Sequence, residues 1–200
     1  MPTLTDLRKS YPAPRERAVL KTQHSLDAHM RRFISLSPFL CLGTSSNQGA
    51  DVTPRGDAAG FVHVADDSTL LIPDWPGNNR LDSLANIIAN PEVALLFFVP
   101  GVTETLRVNG TAEIVMDAAI LQRWNVAGKH PRSAIRVTAR EAFLQCGKAL
   151  IRSKLWDPAT HVERTALAPY GQMLKDQTRV RESAEEIQAS VEDGYRNNLY

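Results

Sequence analysis

The stretch Leu70–Asn90, LLIPDWPGNNRLDSLANIIAN, reads as a strand, a turn and a helix. Leu70, Leu71 and Ile72 form an apolar run suited to a buried strand. Pro73, Pro76 and Gly77 then break regular structure. Asn78 or Asn79 is placed to cap a helix, with Asp82 three residues after Asn79 in a capping-box-like arrangement. Leu81, Leu84, Ile87 and Ile88 recur at helical spacing, and Asn90-Pro91 ends the helix. On this reading Arg80 sits in the first helical turn, where the dipole disfavours a cation. A bound anion reverses that cost, because free N–H groups, the dipole and a guanidinium together make a phosphate site. The alternative for Arg80 is a solvated surface residue.

Strands lie on both sides of this stretch. Phe39–Thr44 predicts a buried strand, Ser45–Gly49 a turn, and Ala50–Pro54 the return strand of a hairpin. Gly60–Ala65 and Thr69–Ile72 predict a second hairpin. Glu92–Val99 is almost wholly apolar, as expected of a strand buried on both faces. Thr105–Val115 alternates, with Leu106, Val108, Ala112 and Ile114 on one face. Ser133–Gln145 adds another strand. Some six or seven strands with few intervening helices favour a mainly β fold with α decorations, a small closed barrel rather than a doubly wound sheet.

Helices flank the strands. We expect short helices near Leu4–Ser10 and over Asp117–Trp124, and an amphipathic helix over Ser25–Leu36. After the last strand come a basic segment, Lys148–Trp156, and a helix over Glu182–Leu199. The latter carries Ile187, Val191, Tyr195 and Leu199 on a narrow stripe. The chain reads as a single domain over 1–200, with an N-terminal helical arm (1–36), a barrel (37–146) and a C-terminal helical extension (147–200).

Charge is nearly balanced, with 23 Lys and Arg against 22 Asp and Glu and a net charge of +1. This argues against a nucleic-acid surface or a polybasic membrane patch. No apolar run approaches a membrane span, and no signal-peptide pattern opens the chain. Cys41 and Cys146 are widely separated and read as reduced, small hydrophobes of a cytoplasmic protein. No Cys or His spacing suggests a metal site.

Three segments together carry a resemblance. They are SPFLCLGTSSNQGADVTPRGDAAGFVHV (37–64), TLLIPDWPGNNRLDSLANIIANPEVALLFFVPGVTETLRVNG (69–110) and QCGKALIRSKLW (145–156). In order and spacing they resemble the FMN-binding split β-barrel of the pyridoxamine 5'-phosphate oxidase superfamily, a Greek-key barrel. The match is to its bacterial branch of unassigned substrate.

The resemblance implies a homodimer with FMN at the subunit interface. Within the Thr53–Asp57 run, Arg55 would lie beside the flavin and Gly56 and Asp57 along the same edge, and Thr53 and Pro54 are counted as candidates of the same site. Asn79 and Arg80 would hold the phosphate, and Ile72 and Pro73 would lie under the ring or ribityl chain. Thr105 stands where the oxidase has a glutamine, next to Arg107. The oxidase has an Arg-Lys pair where this chain has Arg80-Leu81, so Lys148 or Arg152 is the candidate second cation. Lys148, Lys154 and Trp156 are candidates for the partner subunit's contribution. Asn86 either reaches the phosphate turn or faces water. Arg107 is either a flavin contact or a cross-strand ion-pair partner for Glu113 or a neighbour. Trp75 reads as a packing residue placed to roof the pocket.

FMN needs N–H groups and cations for its phosphate, flat walls for its ring, and a few donors near N1, O2 and N5. Thr53, Arg55, Thr105 and Lys148 are candidate donors, and Trp156 a candidate wall. The expected function is an FMN-dependent oxidoreductase acting on a small molecule, with NAD(P)H or another electron donor. The arginine-containing C-terminal segment of the authentic oxidase is missing, which argues against that activity. The rivals are a non-catalytic flavin binder, or a split barrel for haem or a deazaflavin. No catalytic acid, base or nucleophile stands out.

Overall fold

A computed structural model describes residues 1–200. Seven strands form one antiparallel sheet. They are β1 (Phe39–Ser46), β2 (Gly49–Gly56), β3 (His63–Val64), β4 (Thr69–Asp74), β5 (Glu92–Phe98), β6 (Thr105–Val115) and β7 (Ser133–Gln145). Their order across the sheet is β2-β1-β5-β6-β7-β4-β3. No ladder joins β2 to β3 or β4, so the barrel is split rather than closed. The sheet expected from sequence is present, with one open seam.

Alternation sets which side each residue faces. Leu40 and Leu42 of β1, Leu95 and Phe97 of β5, Leu106 and Val108 of β6, and Ile135 and Val137 of β7 turn inward and are buried. Helix α3 (Ala28–Leu36), preceded by α1 (Leu4–Ser10) and α2 (Glu16–Leu20), adds Met30 and Ile34 to that core. Asp27 caps α3 by accepting from the Met30 amide at 2.8 Å. Helix α4 (Asp82–Ala89) contributes Ile87. A smaller cluster gathers Leu71, Trp124 and Leu121 of α5 (Ala118–Leu121), where the Trp124 indole donates to the Phe61 carbonyl at 2.7 Å.

Several expectations need correction. β5 is not buried on both faces: Val93, Leu95 and Phe97 turn inward, while on the opposite face Ala94 is exposed and Leu96 and Phe98 are only half-buried. The second hairpin shortens to His63–Val64, because Gly60 takes φ +82° against the Ser35 carbonyl and Phe61 closes a turn on Ala58. Helix α2 carries no sequence signal, since none of its residues is buried and no side chain caps it. Cys146 is exposed rather than buried, and neither cysteine is in a disulfide.

Beyond β7 the chain is helical, with α6 (Lys148–Ser153), α7 (Tyr170–Thr178) and α8 (Ala184–Asn197). Helices α7 and α8 pack on each other. A Cβ added at Gly171 would lie 2.3 Å from the Ala184 carbonyl, so only glycine allows this approach. Ser183 and Glu186 form a capping box at the start of α8. Leu199 falls beyond the helix, and Tyr195 and Leu199 remain exposed. No helix is long and apolar enough to cross a membrane.

The β6–β7 ribbon has a bulge at Asn109/Gly110. A Cβ at Gly110 would lie 2.0 Å from the Thr138 carbonyl. That neighbour is backbone, so no rotamer change relieves the overlap. Gly110→Ala should cost about 3 kcal/mol, read as a lower urea midpoint at unchanged slope.

His63 lies against Trp124, with ring centroids 4.7 Å apart. Burial, and then the Arg123 charge, lower its pKa below 6.5. The unfolded chain therefore takes up this proton more readily, and stability contributed by neutral His63 is lost as pH falls below 6.5. In urea melts His63→Gln should flatten this acid-side loss relative to the parent.

Candidate functional site at the barrel seam

The seam between β2 and β4 is bridged by side chains. Arg55, near the end of β2, donates to the Asp74 carboxylate at the end of β4. Both side chains are largely buried, at 19% and 15% exposed. The Arg55 Nε is buried and has no hydrogen-bond partner. One step further along, the Trp75 indole donates to Asp57 Oδ2 at 3.0 Å. Asp57 Oδ1 also accepts the Tyr200 hydroxyl at 2.7 Å and the Ala58 amide at 2.6 Å. The hydrogen bond to Asp57, together with burial, pushes the Tyr200 ionisation above its ordinary value.

A cavity of about 720 Å³ opens beside these bridges. Thr53, Pro54 and Arg55 form one wall, and Asp74 and Trp75 another. The turn Pro76–Leu81 and the start of α4 form a third. The turn differs from its reading in sequence. Neither Asn78 nor Asn79 caps the helix: Asn78 Oδ1 accepts the Arg80 amide at 3.1 Å, and Asn79 and Leu81 both take left-handed backbone conformations. Leu81 is the N-cap, and no side chain caps α4. The first amides of α4, from Asp82 to Leu84, therefore keep open donors beside the cavity.

Arg80 precedes the helix rather than sitting in its first turn, and its Nε donates to Asp82 Oδ2 at 2.8 Å. Arg132, just before β7, lines the same cavity. Three guanidiniums, Arg55, Arg80 and Arg132, thus meet one cavity, and two of them are already paired with carboxylates. Sequence reasoning missed Arg132 and Ser83. The open cap leaves no motif that would have flagged Ser83, and Arg132 sits in a loop far along the chain.

A second cavity, of about 500 Å³, lies on the outer face of the sheet, where Ala149 and Leu150 of α6 form part of its wall. Thr105, Arg107 and Asn109 line it together with Ala94, Leu96, Phe98 and both cysteines. The Arg107 guanidinium stacks on Phe143 at 5.2 Å, and Glu113 pairs instead with Arg136. Val52 borders both cavities.

The remaining candidates lie elsewhere in this chain. Ile72 is fully buried in the main core and Pro73 is buried beside it, so neither presents a wall to the cavity. Asn86 turns to β1 and donates to Thr44 Oγ1 at 3.1 Å. Gly56 packs on Pro38 and Phe39. Asp57 faces Trp75 and Tyr200. Lys148 and Arg152 project from α6 and Lys154 follows it; all three are exposed and none lines the cavity that holds Arg80. The Trp156 indole donates to the Val102 carbonyl at 2.8 Å. No cluster of His, Cys, Asp or Glu is arranged to hold a metal.

Breaking the Arg55–Asp74 pair leaves a charge stranded in a largely dry wall. Asp74→Asn should cost about 2 kcal/mol in urea unfolding. The double change Arg55→Met with Asp74→Leu should cost less than the sum of the two single changes, because it strands neither charge.

Comparison with known proteins places this architecture. No curated protein matches the sequence significantly. Among solved structures, HupZ of Group A Streptococcus is 17% identical, with a TM-score of 0.50, over 60% of this chain and 94% of that one. It has the same fold. General Stress Protein 26 of Bacillus anthracis is 17% identical, with a TM-score of 0.41, over 58% of this chain and 93% of that one. The family model described as pyridoxamine 5'-phosphate oxidase matches residues 26–146, from the start of the core to the end of the sheet. With more than half of its length matched, the chain belongs to the pyridoxamine 5'-phosphate oxidase family.

Proposed function

We propose that the seam cavity binds flavin mononucleotide and that the chain is a flavin-dependent oxidoreductase acting on a small molecule. The observation that carries this reading is one cavity lined by three guanidiniums, Arg55, Arg80 and Arg132, and by the uncapped start of α4. The donors lining the cavity suit a phosphate: the uncapped start of α4 with Arg80 just before it, and Arg132 on the same cavity. Arg132 offers the second cation that Leu81 does not. The volume also falls in the range of about 300–1,000 Å³ usual for small-molecule sites.

In this reading Arg80, Arg132 and the α4 amides hold the phosphate end. Arg55 orients the ring and places positive charge at its edge, while Trp75 and Pro54 limit water. Bound flavin supplies the redox chemistry, by hydride or electron transfer.

A homodimer is part of the proposal. The outer face of β5 presents Ala94 and the half-buried Leu96 and Phe98, joined by the exposed Phe39 and Val52. A second copy covering that face would bring its Thr105 and Arg107 towards the neighbouring seam. A cytoplasmic location and a nicotinamide electron donor belong to the same reading.

Binding without turnover is the second reading. It is favoured by the pairing of Asp74 with Arg55 and of Asp82 with Arg80, which leaves Asp51 as the one carboxylate lining the cavity without a salt bridge.

The test is an absorption spectrum of the purified protein, with the released ligand identified by chromatography and added flavin mononucleotide titrated in. Flavin bands at about one per chain are expected. Arg55→Met should weaken binding about tenfold and lower the flavin midpoint potential, since a cation at the ring edge favours the anionic reduced form. A colourless protein that takes up no added flavin mononucleotide overturns the reading. Oxidation of NAD(P)H with a quinone or dye then separates turnover from binding.

A further inference from the structure

We propose that Tyr200 is the buckle of a C-terminal strap that holds Trp75 in the wall of the seam cavity, so that cavity binding and strap docking are coupled. Three contacts carry this inference. The Tyr200 hydroxyl donates to Asp57 Oδ1 at 2.7 Å. Its ring meets the Trp75 indole edge-on, with centroids 4.9 Å apart. Its carbonyl accepts from Lys129 Nζ at 2.8 Å. Asp57 and Trp75 are themselves hydrogen-bonded, so one carboxylate ties together the end of β2, the end of β4 and the C-terminal segment.

The rest of that segment is held loosely. Helix α8 buries no residue, and in α7 only Gly171 is buried. The two helices pack on each other rather than on the sheet. An element with so little buried surface opens locally at low cost, and its attachment then depends on a few contacts at its end. Those contacts converge on Tyr200. Trp75 lines the cavity, so releasing Tyr200 removes one of the two groups that fix this wall.

Linkage makes the coupling reciprocal: a ligand that packs on Trp75 stabilises the docked strap, and the docked strap strengthens ligand binding by the same factor. The ligand side of this inference rests on the flavin reading above, whereas the strap itself does not.

The test therefore has two arms. Hydrogen exchange is first compared in the full chain without ligand, for the parent, Tyr200→Phe and Tyr200→Ala. Tyr200→Phe removes only the bond to Asp57. Faster exchange at residues 57–60, 74–78 and 184–198 is expected in both variants, larger for Tyr200→Ala, at an unchanged urea midpoint of the barrel. Unchanged exchange in both variants overturns the strap. In the second arm flavin mononucleotide is titrated into the same three proteins. An affinity loss of about threefold for Tyr200→Phe and about tenfold for Tyr200→Ala is expected, together with slower exchange of residues 184–198 in the loaded parent. Equal affinities in all three proteins overturn the coupling. A parent that takes up no flavin mononucleotide overturns the coupling to that ligand and the cofactor reading, while the exchange arm still decides the strap.

Discussion

The Arg55–Asp74 ion pair is the constraint on which the site depends. The sheet runs from β2 at one end to β4 and β3 at the other, and no backbone ladder connects those ends. Side chains do that work instead, first through this pair and then through Trp75 on Asp57. A ladder would have filled the gap with paired amides and carbonyls. A side-chain bridge leaves a cleft between two rigid walls, lined by groups that hydrogen-bond in several directions. The cavity and the incompleteness of the barrel are therefore one feature.

The α4 turn adds the second half of the site by a local rule. A helix entered through a left-handed Leu81, with no side chain capping it, presents its first amides to whatever lies in front. A capping Asn or Asp would have satisfied those amides and closed the position. The strained residues Asn79 and Leu81 sit where the chain must turn sharply between the buried end of β4 and the helix. Strain, open donors and nearby cations are thus concentrated within a few residues of each other.

Legibility in the sequence followed the range of the interactions. Strands β6 and β7 and helix α1 were readable to the residue, because alternation and helix-edge signals are local. Helix α4 was readable but its cap was not: Asn79 looked like a cap by residue type, and the backbone chose Leu81. β5 was readable as a strand but misread in its surroundings, since an apolar run looks the same whether its second face meets the protein's own core or is left uncovered. Asp74, Arg132 and Tyr200 carried no signal. Each matters through a partner or a cavity wall far away in sequence, and Asp57 to Tyr200 spans most of the chain. Arg55, by contrast, was found through a resemblance and not through any property of its own segment.

The side-chain seam also bears on how this architecture changes over time. Where a barrel is closed by a ladder, widening it means shifting strand register, which turns every side chain of a strand to the wrong face. Here the width of the cleft is set by the reach of an arginine, an aspartate and an indole, none of which takes part in strand pairing. Substitutions at those positions can resize or repolarise the cleft while the hydrogen-bonded framework stays as it is. A scaffold of this kind can change the shape and charge of its cleft by point changes, and its sequence can drift far while its strand order is retained.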